Sequence, residues 1–346
     1  MEARIKRAGI IALAALGMTL AAGAAMASDN HIVVVPGGPH PYFAPWEQAA
    51  ADAQKDFGIA SVEYKVPADW KLELQTGLLE SLASQGVKGF GIFPGDPVGV
   101  NSTVTELKQA GIPVVALGGC ATDPTDVLFC FATDPYQTTY TMTKALIDSM
   151  GGKGNIVHIT GDLTDPNTTL RQQAVQKAID ETNGAVKLLQ TVAGADLDPT
   201  VADQKINAAL AASKDQIDGI VATGHTASSV TAKALRSLGD KRIKFMAFDD
   251  DQAVLDAIKD GFAIGTFQQN AYGQAYLGAY VLDLIASGTC TLKEDAPWKK
   301  TPQTAHFVDS GVVKVTAENL TTFRDDIKKM ATDIQANFKA TYLNCK

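Results

Sequence analysis

Residues 31–57 read HIVVVPGGPHPYFAPWEQAAADAQKDF. His31–Val35 is a short β-branched run, a loop rich in Pro and Gly follows, and from Ala44 the apolar residues recur at helical spacing. A strand therefore passes through a loop into a helix. The unit repeats: Ser61–Val66, Lys88–Phe93 and Pro113–Leu117 read as strands, with helical patterns beginning near Lys71, Gly99 and Tyr136. A second series runs through Asn155–Thr160, Val186–Val192, Gly219–Ala222, Ile243–Phe248 and Phe262–Phe267, with helices near Thr168, Pro199, Ala227, Gln252 and Ala271. Alternation at roughly 25 to 30 residues per unit is the pattern of βαβ units and a mostly parallel sheet, so the fold class is α/β. Two successive series predict two similar doubly wound lobes, joined near Ala132–Tyr136 without a Gly/Ser-rich linker.

The chain has 346 residues, 46% of them hydrophobic, which is ample for packed cores. Thirty Lys and Arg against 38 Asp and Glu give a net charge of −8. An acidic chain of this kind argues against nucleic acid as a partner, since phosphates demand a basic surplus. Arg4, Lys6 and Arg7 precede an uncharged, Ala-rich stretch from Ala8 to Ala24, and Ala25-Met26-Ala27 has the small-x-small form of a cleavage site. This predicts a signal peptide over 1–27, cleaved after Ala27, and an exported protein. Without that segment the charge is −10, from 27 basic and 37 acidic residues.

Export places the four cysteines in an oxidising compartment, where an even count is usually paired. Four cysteines allow three pairings; Cys120 and Cys130 bracket a short loop, which favours Cys120–Cys130 and leaves Cys290 for Cys345. Cysteine spacings of 10, 160 and 55 contain no C-x-x-C knuckle, and the five histidines are scattered, so no metal site is expected. Gly151-Gly152-Lys153-Gly154 precedes a strand rather than following one and is read as a turn, so no dinucleotide cofactor is expected either.

In open parallel sheets, ligands bind beyond the carboxyl ends of the strands. The segments there are His40–Phe43, Phe93–Asp96, Gly118–Cys120, Asp162–Arg171, Thr223–Thr226, Asp249–Asp251 and Gln268–Asn270. Together with Gly111-Ile-Pro-Val-Val115 and Ala247-Phe248-Asp249, their order resembles that of the periplasmic sugar-binding proteins of ABC transporters, the two-lobed type that includes ribose-, galactose- and allose-binding proteins. The resemblance runs over nearly the whole mature chain. It implies a multi-strand hinge, with 28–133 and about 269–307 in the first lobe and 134–268 and about 308–346 in the second.

By that resemblance, His40 is a polar ligand contact and Tyr42 and Phe43 are rings that stack on a sugar, with Trp46 one helical turn on. Phe93 stands where the ribose binder has an Asn, and Gly118-Gly119 where it has an Asp-Arg pair. Phe93 then adds an apolar wall, the glycines let backbone approach the ligand, and Asp96 is the nearest remaining acid. In the second lobe Asn167 and Arg171 lie four residues apart on one helix face, and the planar guanidinium suits two vicinal hydroxyls. His225 is a substitute donor, Asp249 the hydroxyl acceptor, and Gln268, at the strand end where the chain crosses between lobes, both donates and accepts.

These residues imply a binding receptor rather than an enzyme. The expected ligand is a small polyol or monosaccharide; the expected partners are an ABC transporter permease in the inner membrane and a chemoreceptor. The competing reading is an exported glycoside hydrolase, which needs two carboxylates at fixed separation across the scissile bond.

Overall fold

The computed structural model describes residues 28–346; the expected signal peptide over 1–27 lies outside the described residues. The first lobe begins with β1 (Ser28–Val35), α1 (Ala44–Phe57), β2 (Ile59–Tyr64), α2 (Leu72–Ser84), β3 (Gly89–Ile92), α3 (Asn101–Gln109), β4 (Val114–Leu117) and β5 (Cys130–Ala132). The second follows with α4 (Pro135–Ser149), β6 (Gly154–Ile159), α5 (Pro166–Asp180), β7 (Val186–Val192), α6 (Pro199–Ser213), β8 (Gly219–Ala222), α7 (His225–Leu238), β9 (Lys244–Phe248), α8 (Gln252–Lys259) and β10 (Gly265–Gln269). The chain ends with α9 (Ala271–Ala286), β11 (Cys290–Leu292), β12 (Phe307–Asp309), β13 (Val312–Val315), α10 (Phe323–Tyr342) and β14 (Leu343–Cys345).

Two six-stranded sheets result, ordered β12-β5-β4-β3-β1-β2 and β13-β10-β9-β8-β6-β7. The first is parallel throughout, and in the second only β13 runs antiparallel to its neighbour. The central strands β3, β4 and β8 are buried along their whole length, which is why they read as continuous apolar runs. The helices cover both faces with narrower apolar stripes, as on α1, where Trp46, Ala49, Ala50 and Ala53 are buried. The architecture is the expected one of two doubly wound α/β lobes.

The chain passes between the sheets three times, at Thr133-Asp134, at Asn270 and at Ser310-Gly311. These crossings are hydrogen-bonded to one another. The Asn270 amide donates to the Ser310 carbonyl at 2.8 Å, the Thr133 hydroxyl lies 3.2 Å from that of Ser310, and the buried Gln274 amide donates to the Ser310 hydroxyl at 3.2 Å. Gln274 in turn accepts from the Tyr42 hydroxyl at 2.8 Å, so the hinge is tied to the first lobe's cleft wall.

Both expected disulfides are present, Cys120–Cys130 and Cys290–Cys345. The second staples β14 to β11 at the end of α9. This alters the expected assignment of 308–346 to the second lobe. Phe323 at the start of α10 packs with Leu255 and Val315 of that lobe, but Phe338 and Leu343 lie in the first-lobe core with Phe129. The last helix bridges the lobes because its two ends carry separate apolar clusters, each with a partner on a different lobe.

Candidate functional site

The two lobes face each other across a cavity of about 330 Å³. All seven segments predicted to follow strand ends contribute lining residues.

The first-lobe wall is aromatic. His40 caps the short helical turn Pro41–Phe43, its Nδ1 accepting from the Tyr42 backbone N–H at 3.2 Å. The proton of the neutral ring is thereby on Nε2, which donates to the Asp196 carbonyl of the opposite lobe at 3.2 Å. Burial holds the His40 pKa below its ordinary value and keeps the ring neutral, although the nearby Asp196 opposes this. Tyr42, Phe43 and Phe93 line the cavity edge to face, with ring centroids 5.0 Å apart for the first pair and 5.2 Å for Phe43 and Phe93. Trp70 completes the wall 5.9 Å from Phe93, its indole N–H donating to the Pro39 carbonyl at 3.0 Å.

Gly118 and Gly119 both line the cavity, and Gly119 has a further use. A Cβ on Gly119 would stand 2.8 Å from the Phe93 ring, so the glycine makes room for the phenyl group. Gly119→Ala is expected to push Phe93 into the cavity, lowering stability by about 1–2 kcal/mol. Ligand affinity should fall together with the melting temperature. An unchanged Kd in a calorimetric titration would show that the Phe93 position is immaterial to binding.

The second-lobe wall is polar. Asp165 caps α5 by accepting from the Asn167 N–H at 2.9 Å, which sets Asn167 in the first helical turn, buried and facing the cavity. Arg171 follows one turn later, its guanidinium 5.3 Å from the centroid of the Phe248 ring. Its Nε is buried without a hydrogen-bond partner, and Arg171 forms no ion pair among the described residues. Asp196 caps α7 from outside the helix, accepting from the N–H groups of Thr226 at 2.8 Å and Ala227 at 3.2 Å.

Asp249 ends β9 in a left-handed backbone conformation, φ 63°, which Asp tolerates better than most side chains. Its buried carboxylate accepts from the Gln269 amide at 3.1 Å and lies 3.9 Å from His225 Nδ1. Burial pushes the carboxyl up to about 6, with His225 and Gln269 acting in the opposite direction. His225 is also buried, but the Asp251 carboxylate, 3.7 Å from its Nε2, and Asp249 together hold its pKa above the ordinary value. Asp251 caps α8 and Asp250 pairs with Arg324 at 3.1 Å.

Two expected contacts, Trp46 and Gln268, require correction. Trp46 does not reach the cavity: it is fully buried, edge to face with Phe43 at 4.9 Å, on the same stripe of α1 as Ala49, Ala50 and Ala53. One turn beyond the cleft, the helix has turned that face into the core. Gln268 is displaced by Gln269, because successive strand residues point to opposite faces. Gln269 lines the cavity and holds Asp249, whereas Gln268 donates to the Gln269 carbonyl and its Oε1 is buried without a partner. Asp96 lines the cavity as expected and also shapes a turn, its Oδ1 accepting from the N–H groups of Val98 at 3.0 Å and Gly99 at 2.8 Å. Trp70 and Asp196 were not anticipated. Both follow strand ends, those of β2 and β7, and the same rule applied to those edge strands finds them.

The family described as periplasmic binding protein domain matches residues 31–290. The chain is 25% identical over 244 residues to a xylitol-binding protein of Mycolicibacterium smegmatis, a match covering 70% of this chain and 69% of that protein. It is 24% identical over 250 residues to a D-apiose import binding protein of Paraburkholderia graminis, covering 72% and 78%. An ABC transporter solute-binding protein from Burkholderia graminis, in complex with D-arabinose, superposes with a TM-score of 0.75 at 24% identity, over 86% of this chain and 98% of that one. With the family match spanning most of the chain and the two-lobed fold shared, the chain belongs to the periplasmic binding protein domain family.

Proposed function

We propose that the protein is the solute-binding receptor of an ABC importer, exported to the periplasm with its signal peptide removed after Ala27. Its interlobe cavity takes a small neutral sugar alcohol or monosaccharide. The observation that carries this reading is the pairing of an aromatic wall, Tyr42, Phe43, Trp70 and Phe93, with Asn167, Arg171 and Asp249 in one cavity of about 330 Å³. Rings pack on the C–H faces of a polyol, while a fork-shaped cation, an amide and a carboxylate satisfy its hydroxyls. The first-lobe wall offers few polar side chains, which favours a short sugar alcohol over a hexose. What the relatives bind, xylitol, D-apiose and D-arabinose by their descriptions, supports a ligand of this class.

Binding closes the lobes about the three crossings, and the closed form is what the inner-membrane permease recognises. The test is a thermal-shift screen of residues 28–346 against tetritols, pentitols, hexitols, pentoses and hexoses. A ligand at 100 times its Kd adds about 2.7 kcal/mol to stability. One polyol or monosaccharide should raise the melting temperature in a saturable way. No shift with any of them, or slow cleavage of a glycoside, overturns the reading.

A further inference from the structure

The segment between β11 and β12 reaches the cavity although it lies beyond the family match, which ends at residue 290. Lys299 and Phe307 pair antiparallel, exchanging backbone hydrogen bonds at 3.0 and 2.9 Å. Within this hairpin, Thr301 N–H donates to the Thr304 carbonyl at 2.9 Å, and Gln303 stands in the turn. The turn is held on the loop closed by the Cys120–Cys130 disulfide. Asp123 N–H donates to the Gln303 carbonyl at 2.8 Å, and the Asp123 carboxylate accepts from Ala305 N–H at 2.8 Å. Gln303 itself is held through its backbone, its carbonyl by Asp123 and its N–H by the Thr301 hydroxyl at 3.2 Å. Its side chain is left for the cavity, which it lines while only 8% exposed.

A second cavity, of about 340 Å³, lies alongside the first. Cys120, Asn167 and Gln303 line both and so form the partition between them. Cys120 is locked in its disulfide, and the Asn167 backbone is fixed in the first turn of α5. Gln303 is the longest side chain of the three, with an amide that donates twice and accepts.

We propose that Gln303 is a specificity-determining residue: it closes one end of the ligand cavity, binds the terminal hydroxyl of the ligand through its amide, and sets the longest carbon chain the site accepts. This rests on the polyol or monosaccharide reading above. A ligand one carbon longer meets the Gln303 side chain; with a shorter side chain at 303, the extra carbon extends into the second cavity. A hydroxyl left unpaired by the change weakens the shorter ligand at the same time.

The test titrates wild type, Gln303→Ala and Gln303→Asn with xylitol, ribitol, D-arabinitol, sorbitol, mannitol, D-arabinose and D-glucose by calorimetry, with melting temperatures recorded in parallel. For the five-carbon compound that binds wild type most tightly, Gln303→Ala should raise Kd about 5- to 10-fold, the usual cost of one neutral hydrogen bond. The ratio of six-carbon to five-carbon Kd should fall at least about fivefold. Gln303→Asn keeps the amide and the backbone bonds, so it should give an intermediate ratio and carries the test if the alanine variant does not fold. A ratio within about twofold of wild type in the folded variants overturns the proposal, whatever the change in affinity, and leaves the ligand class standing. If wild type binds none of the seven compounds, the length limit falls; if it binds no tetritol either, the ligand class falls with it.

Discussion

Arg171→Ala is expected to raise the Kd of the ligand found in the screen by at least about 30-fold, because truncating one partner of a buried, charge-assisted contact costs about 2–5 kcal/mol. The same change should leave the melting temperature within a few degrees of wild type. Two opposing terms explain this. Arg171 buries an unpartnered Nε, which costs stability, and it lies against Phe248, where a cation over a ring face returns about 0.5–2 kcal/mol. With no ion pair to break among the described residues, removal has little net effect on the folded state. Calorimetric binding and scanning calorimetry on the same samples separate the outcomes. A melting temperature lowered by many degrees with Kd unchanged would make Arg171 a structural residue.

The second large effect is expected at Asp249 and depends on pH. Its folded-state pKa, about 6, lies above the value of about 3.9 for an unfolded chain, so between those pH values the folded protein binds the proton that the unfolded one releases. Stability contributed by this group is therefore fully present below about pH 4 and lost as pH rises through about 6. At pH 7 the ionised carboxylate costs about 3 kcal/mol, two pH units' worth. Ligand binding has the opposite dependence, because donated hydroxyls favour the carboxylate. Kd should rise about tenfold at pH 5 and about 100-fold at pH 4, with His225, Asp196 and Asp250 setting the local potential around the titrating group. Asp249→Asn retains an acceptor for Gln269 and a side chain tolerant of the left-handed backbone. It should stabilise the protein at pH 7 by up to about 3 kcal/mol, abolish this pH dependence and bind ligand weakly throughout. A wild-type Kd that is flat from pH 4 to 7 would exclude a carboxylate acceptor at this position.

Retention of such groups is consistent with a binding function. An unpartnered Arg171 Nε, an Asp249 carboxyl shifted by burial and a strained φ at the same residue all converge on one cavity. The two polar groups, the Arg171 Nε and the Asp249 carboxyl, are desolvated in the empty protein, and a ligand's hydroxyls would complete their hydrogen bonds.

Asn167, Asp249 and Phe93 were legible without coordinates because each follows a strand or begins a helix, whereas Tyr42 and Arg171 lie further from those junctions and were singled out by the resemblance to sugar-binding proteins. Those junctions are marked by local periodicity and by caps such as Asp165 and Asp251. Gln303 carries no such mark. It enters the cavity from a turn far along the chain, held by backbone bonds to the loop of residue 123. Trp46 and Gln268 failed for a related reason: being near a strand end does not say which way a side chain faces.

By itself the sequence determined the alternation of strands and helices, the division into two lobes, the disulfide partners and most strand-end segments that meet at the cleft, because all of these follow from local periodicity, spacing and composition. Tertiary structure alone decided that Gln269 rather than Gln268 holds Asp249, that Trp46 belongs to the core, that Gly119 accommodates Phe93, and that α10 spans both lobes. The physical reason is that a strand reverses the facing of its side chains at every residue and a helix rotates them by about 100°, so facing is fixed only when packing sets register and rotation.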